Sequence, residues 1–325
     1  MFPPGSRHSY SGEGILLLQK VVEQVTGQDL QTLAGEKVFQ PLGMSRSSYT
    51  WQPEFDDNHA SPHDIWSRPR GERIQPADPD AAGSMVTTAG DYARFVVGLL
   101  SAEGQRRTTV AEMFQPQVSI DYKRMFGPDA WTTTDENDDI DLSWGLGWGL
   151  FDSPHGSAFF HTGNSFGWQN YTVSYREPGT GIVMLSNSDN FESVAEEIAR
   201  LAIGDEHSPY EWLGYVPYDP TAVRGTPPPD PVPVTVAPEI LETYAGSYDL
   251  QSLAQFEVRF EDDRLFLQSR DGQDWERLYP ETETSFFVES QLDSRFVFLV
   301  EDAGTVTGMQ LIFHGIPLPP AEKVE

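Results

Sequence analysis

This 325-residue chain is expected to form an α/β (α+β) domain followed by a small antiparallel all-β barrel domain. Three observations carry that expectation. Apolar residues recur at helical spacing in two segments bounded by capping residues, 12–26 and 88–100. Between Ser157 and Asn187 the apolar period shortens to that of strands. Eight prolines between Pro217 and Pro238 then separate this mixed region from one that shows strand alternation alone. The boundaries drawn from this pattern are 1–212 for the first domain, 213–238 for the proline-rich linker and 239–325 for the barrel.

The first helix is expected from Gly12 to Thr26, capped by Ser11 and ended by Gly27, with Ile15, Leu18, Val22 and Val25 as its buried stripe. A second runs from about Asp29 to Val38 and stops before Pro41-Leu42-Gly43-Met44, because proline cannot extend a helix. Residues 45–80 read as proline-punctuated loop. Thr88 with Asp91 resembles a capping box opening a helix to Leu100, with Tyr92, Phe95, Val96 and Leu99 inward. Tyr171, Val173 and Tyr175 alternate with Thr172 and Ser174, as in a half-buried strand. Pro178-Gly179-Thr180-Gly181 turns the chain into the continuous apolar strand Ile182-Val183-Met184-Leu185. Ser193 with Glu196 opens a last helix, lined on one side by Val194, Ile198 and Leu201 and closed by Gly204. Beyond the linker, Phe256, Val258 and Phe260 alternate, Asp262-Asp263 turns, and Leu265 and Leu267 alternate again. Phe296 to Val300, a turn at Asp302-Ala303-Gly304, and Met309, Leu311 and Phe313 complete a small antiparallel barrel or sandwich of about 80 residues.

Composition narrows the functional classes. Fifty acidic residues against 21 basic ones give a net charge of −29. Self-repulsion of that size destabilises a compact state, and salt screens it, so a salt-adapted host is expected. A nucleic-acid backbone or an anionic membrane surface is not an expected partner, because both need a basic footprint. No apolar run approaches the roughly 18 residues of a membrane span. With no cysteine, disulfide and thiolate chemistry are excluded. No cofactor is expected. Metal binding is not expected either: Pro62 breaks any helical pairing of His59 and His63, and Asp135-Glu136-Asn137-Asp138-Asp139 lacks calcium-loop spacing. No helix pattern follows Trp144-Gly145-Leu146-Gly147-Trp148-Gly149, so its glycines serve a tight strand rather than a nucleotide loop.

Chemistry concentrates in two strings. Pro4-Gly5 precedes Tyr10-Ser11-Gly12 and runs into the Leu-rich helix ending Val25-Thr26-Gly27; far downstream stands His161-Thr162-Gly163-Asn164, followed by Gly167-Trp168. Between and after them come Phe39-Gln40-Pro41-Leu42-Gly43-Met44, Ala81-Ala82-Gly83-Ser84-Met85-Val86-Thr87-Thr88 and Leu185-Ser186-Asn187-Ser188. In this order they resemble the serine β-lactamase and penicillin-binding-protein superfamily, on its class C-like, esterase and D-aminopeptidase side. The resemblance covers most of residues 1–205. Around Tyr244-Ala245-Gly246-Ser247-Tyr248 the C-terminal region resembles the small β domain often appended to such hydrolases.

The resemblance implies a β-lactamase-like domain lacking its N-terminal part, and an acyl-enzyme mechanism on a small acyl substrate: a β-lactam, a D-amino-acid peptide or an ester. A serine attacks the carbonyl, a lysine and a tyrosine manage its proton, and backbone N–H groups hold the oxyanion. Tyr10 matches the tyrosine of the second motif, and His161 stands where many relatives have lysine. Ser11, Gly12, Thr162, Gly163 and Asn164 are the implied substrate and oxyanion contacts, with Gly12 departing from the usual asparagine. The nucleophile motif Ser-x-x-Lys has no counterpart: three residues before Lys20, Lys37, Lys123 and Lys323 stand Leu17, Ala34, Ile120 and Pro320. The expectation is therefore the C-terminal part of a hydrolase that does not turn over substrate alone. The alternative is a binding-only protein, or half of a split enzyme whose partner is a complementing N-terminal fragment bearing Ser-x-x-Lys. Localisation is left open by the sequence.

Overall fold

The structure, a computed structural model, describes residues 3, 5–70, 75–102, 104–165, 167–221, 230–250, 255–269, 275–289, 291–301, 304–313 and 316–324. Pro4 of the first motif, Pro227–Pro229 of the linker, Asp302-Ala303 of the expected turn and the Phe313 side chain lie outside the described residues. Two compact units divide the chain, residues 1–69 with 73–222 and residues 70–72 with 223–325.

The first unit opens on α1 (Gly12–Thr26). Ser11 Oγ accepts from the Gly14 N–H, and Gly27 ends the helix in the left-handed region at φ 70°. The expected buried stripe is corrected: Leu18 is 55% exposed and Val25 80%, with Ile15, Leu17 and Val21 also outward. The buried residue of α1 is Gln19, whose amide bonds the Pro79 carbonyl and the Ala81 N–H. The helix is thus tied down by polar contacts, while its apolar side meets no covering element among the described residues.

The second helix is corrected too: it is interrupted and runs past the proline expected to stop it. After α2 (Leu30–Ala34) the chain widens into a π turn over Gly35–Phe39, then resumes as α3 (Gln40–Leu42) up to Gly43, φ 67°. Pro41 lies inside this last turn rather than beyond it. It is in the first turn of α3, where a missing N–H is tolerated. Thr88 caps α4 (Ala89–Leu100) by accepting from the Asp91 N–H, and α5 (Gly104–Met113) follows.

A six-stranded antiparallel meander forms the centre: β1 (Val118–Ser119), β2 (Ser143–Trp144), β3 (Gly149–Ser153), β4 (Gly156–Ser165), β5 (Trp168–Tyr175) and β6 (Thr180–Ser186), in that order. α6 (Glu192–Ile203) and α7 (Tyr210–Leu213) complete the unit. Phe159 and Phe160, successive on β4 and fully buried, point to opposite faces. Phe159 packs with Val96, Phe114, Trp148 and Leu150 on the α4–α5 side. Phe160 packs with Tyr171, Val173, Ala195, Ala199 and Trp212 on the α6–α7 side. Helices therefore cover both faces, which corrects the half-buried reading of β5: Thr172 and Ser174 are buried along with their apolar neighbours. β6 is an edge strand, and its Leu185 is exposed rather than enclosed.

On α6 the expected cap and stripe are both corrected. Phe191 is the N-cap, and Ser193 lies within the helix, donating its hydroxyl to the Asn190 carbonyl. Ala195 and Ala199 face the sheet because small residues allow close helix–sheet approach, while Val194, Ile198 and Leu201 look outward. Gly204 ends the helix at φ 71° as expected.

The second unit begins with α8 (Pro238–Thr243) and continues as β7 (Gly246–Asp249), β8 (Gln255–Glu261), β9 (Arg264–Ser269), β10 (Glu276–Pro280), β11 (Ser285–Val288), β12 (Gln291–Val300), β13 (Val306–Phe313), β14 (Ile316–Pro317) and β15 (Ala321–Val324). The strand order β12-β11-β10-β9-β8-β7-β15-β13, with β12 paired back onto β13, closes an eight-stranded antiparallel barrel. Tyr244 stacks on Phe298 at 4.3 Å in its core, and the Tyr248 hydroxyl donates to the Tyr244 carbonyl. Asp262 and Asp263, at φ 50° and 58°, make the β8–β9 turn.

A Cβ on Gly149 would lie 2.3 Å from the Phe160 ring. Gly149→Ala is expected to lower unfolding stability by about 1–3 kcal/mol. Leu18→Ser, on the outward side of α1, is expected to stay within about 0.5 kcal/mol. Urea midpoints measured for both variants check the pair.

Candidate functional site

Two segments remote in sequence meet at the open end of β4. Pairing between β3 and β4 runs from Ser153↔Gly156 to Gly149↔Phe160 and stops there. Beyond Phe160, β4 is paired only with β5, from His161↔Thr172 to Ser165↔Trp168. Among the described residues, 161–165 therefore present one free strand edge.

The loop before α1 is brought to this edge by aromatic packing. Trp144, at the end of β2, stacks on His8 at 4.6 Å and meets Phe160 and His161 edge-on at 6.2 and 5.9 Å. His8 Nδ1 shares a 2.6 Å hydrogen bond with the Tyr122 hydroxyl. The Arg7 guanidinium lies over the rings of Tyr122 and Trp131, at 4.8 and 4.9 Å, and donates to the Ala130 carbonyl. Held this way, Tyr10 stands 5.6 Å from Phe126, 6.2 Å from Trp144 and 6.2 Å from His161, between ring centroids.

The structure thus brings Tyr10 and His161 together. Among the described residues the Tyr10 hydroxyl has no hydrogen-bond partner, so it is available to a ligand. Burial raises its pKa, which keeps the phenol protonated at neutral pH. His161 donates from Nδ1 to the Thr162 carbonyl at 2.7 Å, a bond that fixes the tautomer and leaves the lone pair on Nε2. Burial lowers its pKa, outweighing that bond, which acts in the opposite direction. The imidazole is neutral at pH 7.

The other candidate residues are distributed around this pair. Gly163 lies on the same face of β4 as His161; a Cβ there would meet only Asn170, at 3.7 Å, so packing alone does not demand glycine. Thr162 and Asn164 point to the other face. Thr162 Oγ1 pairs with the Tyr215 hydroxyl at 2.7 Å, and the Asn164 amide donates to Glu192 at 3.0 Å. The Ser11 hydroxyl is engaged in capping α1 and in a bond to Glu13. Gly12 is the first residue of that helix. Lys20 lies against Glu23, Lys123 against Glu136 and Lys323 against the Thr243 carbonyl; among the described residues none of the three meets a serine hydroxyl.

Sequence reasoning missed His8, Phe126, Trp144 and Trp148, all of which lie within one ring contact of Tyr10 or His161 or stack on one that does. His8, two residues before Tyr10, and the paired tryptophans flanking Gly145-Leu146-Gly147 were the available signals. Among the described residues no cluster of three His, Asp or Glu side chains is placed to hold a metal. His59 and His63 bond the Phe55 and Asn187 carbonyls instead. No described helix is long and apolar enough to cross a membrane.

Residues 1–205 match the family described as Beta-lactamase, more than half of the chain. The chain belongs to that family. Residues 230–318 match a separate family described as a domain of unknown function, DUF3471. Penicillin-binding protein 4* of Bacillus subtilis (strain 168) is 24% identical over 298 residues, 89% of this chain and 61% of that protein. Penicillin-binding protein 4 of Amycolatopsis lactamdurans is 26% identical over 255 residues, 76% of this chain and 61% of that protein. The chain thus spans about three fifths of the length of these relatives. Among solved structures, the octameric penicillin-binding protein homologue from Pyrococcus abyssi aligns with a TM-score of 0.51 and 19% identity, over 98% of this chain and 66% of that one, a likeness of fold.

His8 yields a pH prediction. Burial lowers its pKa from 6.5 to about 4, so the unfolded chain takes up the proton first as pH falls. Its contribution is present above pH 6.5 and is lost progressively toward pH 4. His8→Phe is expected to flatten the fall in thermal midpoint across that window relative to wild type, as followed by circular dichroism.

Proposed function

We propose that this chain is the C-terminal part of a β-lactamase-related serine acyl hydrolase. The observation that carries the reading is the approach of Tyr10 and His161, 6.2 Å apart, at the open edge of β4 in a chain of this family. In the proposed reaction a serine oxygen bonds to the substrate carbonyl carbon and expels the leaving group, which takes the serine proton. Water then cleaves the acyl-serine ester. Tyr10 and His161 line the proton's route, the N–H of Asn164 supports the oxyanion, and Gly163 leaves room for substrate along the strand.

The chain supplies only one side of this machinery. A protonated phenol is a proton donor, not a base. It becomes a base when an ammonium beside it favours the phenolate. The Ser-x-x-Lys motif, which these 325 residues lack, would bring both the ammonium and the nucleophile. The chain alone is therefore expected not to turn over a chromogenic cephalosporin or a p-nitrophenyl ester. Joined to the polypeptide encoded immediately upstream of Met1, it is expected to gain turnover that Tyr10→Phe reduces by at least about 100-fold. Turnover by the chain alone that vanishes in Tyr10→Phe would contradict the proposal.

A second reading, a binding-only protein or one half of a split enzyme, draws on the outward apolar side of α1 and the free edge of β6. Both are surfaces that another polypeptide could cover. If no upstream segment confers turnover but a Ser-x-x-Lys-bearing chain from the same operon co-purifies with this one, the split form is the correct one.

The net charge of −29 further suggests a salt-adapted protein. Raising NaCl from 0.1 to 2 M is expected to raise the thermal midpoint by several degrees, through screening of self-repulsion. A midpoint that is flat or falls with salt counts against this.

A further inference from the structure

Resting on the acyl-hydrolase reading, we infer that the site takes an uncharged ester or amide carrying an aromatic ring, in preference to a carboxylate-bearing peptide or lactam. Two independent features carry this. The first is the composition of the rim. Phe126 meets Tyr10 edge-on yet is 59% exposed, and Trp131, against which Arg7 lies, is similarly open to solvent. Trp144 forms a half-buried floor between Tyr10 and His161. Large apolar side chains left open around two polar groups, an unpartnered phenol and an imidazole, make a surface suited to a flat apolar ligand with one polar function. A ring inserted beside Trp144 would gain an edge-on or offset contact from Phe126 and from Tyr10.

The second feature is the commitment of the neighbouring cations. A carboxylate leaving water for this rim needs a cation with donors to spare. Arg7 is spread over Tyr122 and Trp131 and donates to Ala130. Arg124 bonds Glu211 at 2.7 Å, and Lys123 lies 4.0 Å from Glu136. The two imidazoles of the site are neutral at pH 7, because burial lowers both pKa values. The charge of −29 on the whole chain repels an approaching anion further. The ammonium that Ser-x-x-Lys would bring is taken up by the Tyr10 phenolate and the nucleophile, so it is not spare for a carboxylate, and a neutral ligand meets none of these costs.

The test is an NMR titration of the full chain at pH 7.5 with three probes: N-benzylacetamide (ring, no charge), N-benzoylglycine (ring and carboxylate) and N-methylacetamide (neither). N-Benzylacetamide is expected to bind at least about tenfold more tightly than either of the others, the worth of two ring contacts. It should shift the ring resonances of Tyr10 and His161. Phe126→Ala, at an exposed position that leaves the urea midpoint unchanged, is expected to weaken N-benzylacetamide severalfold and to leave N-methylacetamide unaffected. Equal or tighter binding of N-benzoylglycine overturns the inference, as does indifference to Phe126→Ala or an absence of saturable binding. None of these outcomes touches the acyl-hydrolase reading, which fails instead if the polypeptide completed upstream turns over neither the cephalosporin nor the ester.

Discussion

The site depends on the place where the β3–β4 ladder stops. Gly149 pairs with Phe160 so closely that a single methyl group would enter the ring, and Gly147, at φ 84°, turns the preceding chain. A Cβ on Gly145 would likewise meet the Met113 carbonyl at 2.3 Å. These close approaches fix where β3 begins, and so fix His161 as the first residue of β4 with an unpaired edge. Had the ladder run three residues further, the edge from His161 to Gly163 would be closed by backbone. The loop carrying Tyr10 could then pack near the strand without opening onto it.

A second property follows from how the loop is anchored. Residues 7–10 reach the sheet through rings: His8 on Trp144, Arg7 over Tyr122 and Trp131, Tyr10 against Phe126. Aromatic anchoring excludes water and holds the neighbouring imidazoles neutral, within a chain whose surface is strongly acidic. The electrostatics of the site are accordingly those of its own lining, with the surface charge acting on what approaches.

Much of this was legible in the sequence wherever the determining physics is local. Ser11 and Thr88 as caps, and Gly27 and Gly204 as helix ends, were readable because a cap is decided by a few adjacent residues. The alternation of Phe256, Val258, Leu265 and Leu267 was readable for the same reason, since a strand pair joined by a tight turn contains its own partner. What failed was the choice of face. Helical spacing showed that Val194, Ile198 and Leu201 share one side of α6, but only the sheet decides that Ala195 and Ala199 turn inward. The same held for α1, where a regular apolar stripe is left largely exposed among the described residues and Gln19 became the anchor. Tyr10 and His161, which the structure brings together, could be singled out as candidates because they lie in recognisable strings. His8, Phe126 and Trp144 carry no such string, and an aromatic side chain in a sequence looks the same whether it fills a core or lines a cleft.

In the barrel, β15 sits between β7 and β13, while β12 closes onto β13. Residues 321–324 are therefore a stave of the cylinder and not a tail. During synthesis the seven other staves are complete before this one emerges, and until it inserts, β7 and β13 each keep a bare flank. The cylinder shuts only after residues 321–324 have left the ribosome, whereas the meander and its helices are free to fold while the barrel is still being made.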